Sequence, residues 1–397
     1  MTSKNMIFHH PLPLNYQATS ASGIRPIKML NAFKSLGYKV DLVTGYSAER
    51  KKRIKKIKNN IEKGLEYDFV YSESSTMPTI LTDRHHLPLN PLLDFGFFKF
   101  CKRQNIKIGL FYRDIYWAFE GYGNDLNLLK IATAKLAYKY DLKNYNKYLT
   151  KLYLPSLEMG KYVPIVNGKI FEALPPGSDS NNHFDADAGA NLSSSEDEKL
   201  NVFYVGGMSE HYQMHLLFKV VSQFPKIILT ICTRENEWLS VKDTYPALTD
   251  NIKIVHKVGE DMKMLMQQAD IVSVFVKPHE YWEFAAPVKL YEYLGSRKPI
   301  LASNGTLAAN FVKNNKIGWA IDYKPSALTK FFVSIYTVRW ANGLNSAGVE
   351  VLVIRQHPLL IAIYQGITVH ILKNQGSFLY FLVIQTVKNY LQKLNPI

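Results

Sequence analysis

Residues 283–303 read Glu283-Phe-Ala-Ala-Pro-Val-Lys-Leu-Tyr-Glu-Tyr-Leu-Gly-Ser-Arg-Lys-Pro-Ile-Leu-Ala-Ser303. The order is a loop, a short helix, a glycine stop and an apolar strand. Pro287 suits a helix start, where its missing N–H costs nothing. Leu290 and Leu294 stand four apart and share one helix face. Gly295 closes the helix, and Pro299-Ile-Leu-Ala302 opens a strand. A helix N-terminus gathers unspent amides and partial positive charge, which suits a phosphate. Glu292, one turn deeper, is placed to accept hydrogen bonds from two neighbouring ribose hydroxyls, and Lys289 to neutralise a phosphate charge. The outline is a nucleoside-diphosphate site. The alternative is an ordinary βα unit whose glutamate faces water.

The run Pro287-Val-Lys-Leu-Tyr-Glu-Tyr-Leu-Gly-x-x-Lys-Pro-Ile300 resembles the donor-site signature of GT-B glycosyltransferases, above all the family 4-like retaining enzymes. The resemblance implies that Pro287, Val288, Lys289 and Leu290 bind a nucleotide sugar and that Glu292 holds its ribose. Many relatives carry a second glutamate eight residues earlier, near the transferred sugar. That position is Phe284 here, and Glu283 stands one residue off register, so Glu283 fills the catalytic role only if the loop shifts. The implied architecture is α/β: two Rossmann-like parallel α/β domains facing a cleft.

Length and composition agree with that architecture. The chain has 397 residues, enough for two domains with sizeable cores. It is 47% hydrophobic and 20% charged, as a globular protein is. A net charge of +15 points to an anionic partner, either a phosphorylated substrate or a membrane surface. No zinc spacing or aromatic stacking motif accompanies it, so nucleic acid is not an expected partner. Cys101 and Cys232 are the only cysteines and lie far apart, which implies no disulfide framework and a reducing cytosol. The N-terminus lacks the apolar run of a signal peptide.

The first half alternates. Met6 to His9 reads as a strand. His9-His10 and Ser20-Ala-Ser-Gly-Ile-Arg25 read as the loop after it, and residues 26–36 as a helix ended by Gly37. Lys39 to Thr44 is the next strand. This is the opening of a parallel α/β domain, whose ligands bind at the C-terminal ends of strands. His9, His10, Gly23 and Arg25 therefore stand near a cleft, and the resemblance implies that they face the acceptor, with packing roles as the alternative for the two histidines. Residues 50–63 carry eight basic residues around Ile54, Ile57 and Ile61, either a solvated helix or a basic amphipathic surface for anionic lipid. Tyr67 to Tyr71 reads as a strand running into a polar loop, whose one acid, Glu73, joins the acceptor side. Lys107 to Tyr112 is a strand ending in Arg113-Asp114. In the resembling family a His-Asp pair commonly stands there. Arg113 replaces the histidine and cannot act as a base at neutral pH. Arg113 and Asp114 are catalytic candidates, with a structural ion pair as the alternative.

Residues 1–177 thus form an acceptor-side domain and 178–199 a Ser- and Asp-rich mobile linker. Residues 200–330 form the nucleotide-sugar-binding domain. Its first strand ends at Gly206-Gly207, a turn that the resembling family uses to let backbone approach the donor phosphates. Arg234, after a later strand, is either a phosphate ligand or a surface ion pair. Residues 331–397 hold a single acid, Glu350, of the chain's 33, and resemble no usual ending of the family. A shifted reading frame or a membrane-associating tail would account for them.

No metal site is expected. Asp185-Ala-Asp187 has the right letters but lies in the linker, and Glu66-Tyr-Asp68 opens a strand rather than closing one. The leaving diphosphate then needs Arg234, Lys289 and the amides after Ala286. No cofactor is expected beyond the nucleotide-diphosphate sugar as co-substrate. The expected reaction is retaining transfer to a glycan or lipid-linked acceptor of the bacterial envelope. The expected location is the cytoplasm, with peripheral contact at the inner face of the plasma membrane. A sugar-nucleotide 2-epimerase and an inactive scaffold are the rivals.

Overall fold

A computed structural model describes residues 4–341, apart from 19, 124–125, 178–198, 209–211 and 297. Most of the linker, with Asp185 and Asp187, and residues 342–397 of the atypical tail lie outside the described residues. The chain divides into two units between Pro175 and Pro176.

Unit 1 contains β1 (Asn5–His10), α1 (Ala21–Ser35), β2 (Lys39–Thr44), α2 (Ser47–Glu62), β3 (Phe69–Glu73) and α3 (Leu93–Arg103). It continues through β4 (Lys107–Phe111), α4 (Leu128–Tyr148), β5 (Lys151–Leu154) and β6 (Phe171–Ala173). All six strands are parallel, in the order β2-β1-β3-β4-β5-β6. Unit 2 runs β7 (Leu200–Val205), α5 (His215–Val221), β8 (Ile227–Cys232), α6 (Glu235–Val241), β9 (Ile252–Val255), α7 (Gly259–Gln268) and β10 (Ile271–Val274). It ends with α8 (Val288–Gly295), β11 (Ile300–Ser303), α9 (Leu307–Asn314), β12 (Gly318–Ile321) and α10 (Pro325–Ala341). Its six strands are also parallel, in the order β12-β11-β10-β7-β8-β9.

Parallel strands covered on both faces read as continuous apolar runs rather than alternating ones. Met6, Ile7 and Phe8 of β1, and Ile271 and Val272 of β10, are wholly buried. The two orders fix where ligands can sit. In each sheet the chain leaves its first strand to one side and later returns on the other. The crevice at that switch lies beyond the C-terminal ends of β1 and β3 in unit 1, and of β7 and β10 in unit 2.

Three boundaries differ from the sequence expectation. Helix α1 starts at Ala21, so Gly23 and Arg25 belong to its first turns and Pro26 sits inside it. At the sixth helical position Pro26 has no N–H for the bond to Ser22 that an uninterrupted helix would make. Strand β1 keeps both His9 and His10, with no loop until Pro11. Strand β3 extends through Ser72 and Glu73, both fully buried.

Candidate functional site

In unit 2 the site is built where β7 ends. Gly206 takes φ +139°, and a Cβ there would stand 2.7 Å from Lys289 Nζ. Only a glycine lets the chain pass so close above this amine. Lys289 comes from the first turn of α8, which begins after Pro287. Its ammonium group donates to Tyr204 Oη at 2.5 Å and lies 4.0 and 4.2 Å from the ring centres of Tyr204 and Tyr212. Burial pushes the Lys289 amine down to about 7, against the upward pull of Glu292 and Glu237. Glu292, half-buried, stands one helical turn further on. A shallow depression, open to solvent, is lined by Tyr212, Val276, Trp282, Pro287, Lys289 and Thr306, among others.

Helix α8 is fixed to the switch point by its own sequence. The Tyr293 hydroxyl accepts from Val205 N–H at 3.0 Å and donates to the Ser273 carbonyl at 3.3 Å. It therefore clamps the end of β7 against β10. Leu290 and Leu294 turn into the core beside it, and Val288 is half-buried at the helix start. The structure thus brings together Gly206, Pro287, Val288, Lys289 and Glu292, whereas Leu290 goes to the core and not to the site.

Gly207 and Arg234 have a partner that the sequence did not reveal. Glu237 Oε2 accepts Met208 N–H at 2.9 Å, and a Cβ on Gly207 would meet that oxygen at 2.9 Å. The other oxygen of Glu237 pairs with Arg234, whose side chain is largely exposed. The ion-pair alternative for Arg234 is present, and the amides of Gly206 and Met208 are spent on Cys232 and Glu237. Glu283 lies exposed at the end of a short 3₁₀ turn, Glu280–Glu283, while Phe284 fills the interior at 2% exposure. The register slip seen in the sequence thus leaves an apolar ring, packed 5.1 Å from Tyr281, at the position where the resemblance led us to expect an acid.

In unit 1 the acceptor-side candidates divide into two groups. His9 is a core residue. Its Nε2 donates to Asp94 at 3.0 Å and its Nδ1 accepts from Ser72 Oγ at 2.8 Å. With both nitrogens spent inside, His9 is not placed to meet an acceptor. His10, Arg25, Glu73 and Arg113 do meet, beyond the ends of β1, β3 and β4. Glu73 accepts from Tyr71 Oη at 3.0 Å and from Arg113 NH2 at 3.3 Å, with Arg25 Nε 3.7 Å away. His10 Nδ1 donates to the Glu73 carbonyl at 3.1 Å, and burial above all pushes its ring down to about 3. Asp114 is turned to the backbone, where it accepts from Ile115 and Tyr116 N–H. Arg113 pairs with Glu73, and the Asp114 charge also favours its charged form. Gly23 packs against Ala18, where a Cβ would come to 2.4 Å.

Comparison with known proteins adds to this geometry. Residues 190–331 match the family model described as Glycosyl transferases group 1, and residues 327–396 match a second, Glycosyl transferase 4-like. The second match carries the likeness beyond residue 330, into the stretch that its composition sets apart. No curated protein matches the chain. Among solved structures, a glycosyltransferase from Rickettsia africae ESF-5 is similar over 99% of both chains, at 13% identity and a TM-score of 0.61. The Anabaena protein HepE in complex with UDP and glucose is similar over 93% of this chain and 99% of that one, at 12% identity and a TM-score of 0.56. WaaG, described as a glycosyltransferase involved in lipopolysaccharide biosynthesis, is similar over 88% and 97%, at 13% identity and a TM-score of 0.52. At these identities the likeness to the three structures is one of fold.

Proposed function

We propose that this chain, which belongs to the family 4-like glycosyltransferases of GT-B fold, moves a sugar from a nucleotide-diphosphate sugar to a glycan or lipid-linked acceptor of the bacterial envelope. The observation that carries the donor half is the buried ammonium group of Lys289 beneath Gly206, at the switch point of unit 2 and the head of α8. In this reading Lys289 and the first amides of α8 stabilise the charge that grows on the departing diphosphate. Arg234 adds a second cation from the solvent side. Glu292 accepts from the ribose hydroxyls. The acceptor hydroxyl attacks the anomeric carbon from the face the diphosphate leaves, and the leaving phosphate oxygen takes its proton, which retains configuration. A UDP complex of HepE and the described role of WaaG support the nucleotide and the envelope setting.

The test is a panel of nucleotide sugars against envelope extracts, with Glu292→Ala as the comparison. Losing a hydrogen-bonded ribose contact should cost ~2–4 kcal/mol, some tens- to hundreds-fold in transfer, with the melting temperature held. Full activity in that variant would refute the ribose assignment.

A lipid-linked acceptor calls for a membrane surface, and we propose that α2 supplies its charge. Lys51, Lys52, Arg53, Lys55 and Lys56 are exposed along it. Its isoleucines are not available for insertion, because Ile54 and Ile57 are buried against unit 1. The apolar part comes from the adjoining loop, where Leu87, Leu89 and Leu92 are 54%, 65% and 73% exposed. Asn90 of that loop donates to Ser47 Oγ at the start of α2. Each lysine near an anionic surface contributes ~1 kcal/mol, so replacing three by glutamate should abolish co-sedimentation with phosphatidylserine vesicles. Undiminished co-sedimentation in that variant counts against the surface. Among the described residues, no helix is long and apolar enough to cross a membrane.

A further inference from the structure

We infer that Arg25, Arg113 and His10 form a seat for an oxyanion within unit 1, and that the acceptor supplies it as a sugar carrying a carboxylate or phosphate beside a free hydroxyl. This rests on the transferase reading for its source of anion, but on unit 1 alone for its chemistry. The cluster lies at the switch point of the first sheet, where a crevice is expected on topology alone.

Charge and hydrogen bonding are both incomplete there. Two guanidinium groups face one carboxylate, and Glu73 is fully buried with its oxygens taken by Tyr71 and Arg113. Arg25 comes no nearer than 3.7 Å to it. Arg25 Nε and NH2, the edge that grips an oxyanion with two parallel bonds, are buried and make no well-formed hydrogen bond, with the Tyr71 hydroxyl as a weak neighbour. Unmet donors on a desolvated cation are expensive, so this arrangement holds a charge and two donors in reserve. The guanidinium lies 3.7 Å from the centre of the Phe111 ring. Stacked so, it can turn in its own plane and bring the unmet edge to an incoming anion. The side chains of Arg25 and Arg113 are 17% and 12% exposed, so the pair borders solvent. His10 adds the neutral part. Its Nδ1 proton goes to the Glu73 carbonyl, which leaves Nε2 as a lone-pair acceptor for a hydroxyl beside the anion.

Calorimetric titration of the full chain tests this, with UDP absent and with UDP saturating. The probes are glucuronate, inorganic phosphate and neutral glucose. Saturable glucuronate binding that persists with UDP bound and exceeds that of glucose is the expected result. Arg25→Leu and Arg113→Leu should each weaken it about tenfold or more, while UDP binding is kept. Arg25→Lys should recover only part, because lysine lacks the paired edge. Glu73→Gln should tighten it several-fold, because the competing carboxylate is gone; a merely structural Glu73 predicts no tightening. Anion binding that disappears once UDP is bound assigns the seat to the donor and overturns the acceptor source. No saturable anion binding, or equal binding by the leucine variants, overturns the seat itself. Failure of UDP to bind defeats the donor assignment instead, and the titration without UDP still decides this one.

Discussion

Lys289→Met should bind a nucleoside diphosphate ~100- to 1,000-fold more weakly than the wild type and yet unfold at a higher temperature near pH 6. The two effects have one origin. The Lys289 amine is buried between Tyr204 and Tyr212, and burial pushes it down to about 7. In the unfolded chain a lysine titrates near ~10.4. Between these values the unfolded state holds more protons than the folded one, so stability rises with pH across that window. Below about pH 7 the full cost of burying the charge is present, on the order of 4 kcal/mol. Methionine keeps the packing and removes that cost. Tyr204 is not left unmet, because its hydroxyl also donates to the Gly207 carbonyl at 2.6 Å.

A diphosphate reverses the balance. Its charge raises the amine's pKa again, so binding takes up a proton. Wild-type affinity should be greatest below about pH 7 and fall by up to about tenfold per pH unit above it. Calorimetry in buffers of different ionisation heat reads the uptake directly. A flat pH profile, or a methionine variant that melts lower and binds as well as the wild type, would remove Lys289 from the donor site.

How far such a site can be seen in sequence depends on where its partners lie. The α8 signature is local, and Pro287, Lys289, Glu292 and Gly295 all fall on the turns that their spacing predicts. The cage around Lys289 is not local. Tyr204 and Tyr212 precede it by more than seventy residues, and nothing in their own neighbourhood marks them. Glu237 is missed for the same reason, though a glutamate three residues beyond Arg234 is a spacing that pairs charges.

Helix α4 was illegible for a different reason. Leu128, Leu129 and Leu136 are all well exposed on it, which blurs the apolar stripe that marks a helix. Glu73 reads as a loop acid because it stands among Ser72, Ser74 and Ser75 and a proline follows at 78. Parallel pairing with β4, Glu73 opposite Phe111, draws it into the sheet. The alternation of strands and helices survives all this because it rests on many weak signals pointing the same way.

Arg50→Met should destabilise unit 1 by ~3–5 kcal/mol. Arg50 belongs to the basic run of α2, and its neighbours in sequence face solvent. It alone of the run is turned inward, at 2% exposure. Its Nε and NH2 grip both oxygens of Asp94 at 2.8 and 3.0 Å, and its NH1 donates to the Pro11 and Gly45 carbonyls. His9 then donates to the same carboxylate and accepts from Ser72. One buried network thus ties α2, α3, β1 and β3 together. Burial pushes the Asp94 carboxyl up, but the hydrogen bonds from His9 and Arg50 and the charge of Arg50 outweigh it and hold it below its ordinary value. A depressed carboxyl contributes stability above its unfolded pKa and loses it as pH falls through the folded one. Unit 1 should therefore resist mild acid, and Arg50→Met should lose that resistance, because Asp94 is left buried with half its partners.

The cost comes from the orphaned charge rather than from any large net gain by the pair. Arg50→Met combined with Asp94→Leu should accordingly recover most of the loss. Hydrogen exchange in peptides from β1 and α3 reads this locally, without assuming that two units unfold as one. A double variant as unprotected as Arg50→Met alone would mean that the hydrogen bonds to Pro11 and Gly45, and not the buried carboxylate, hold this end of the sheet.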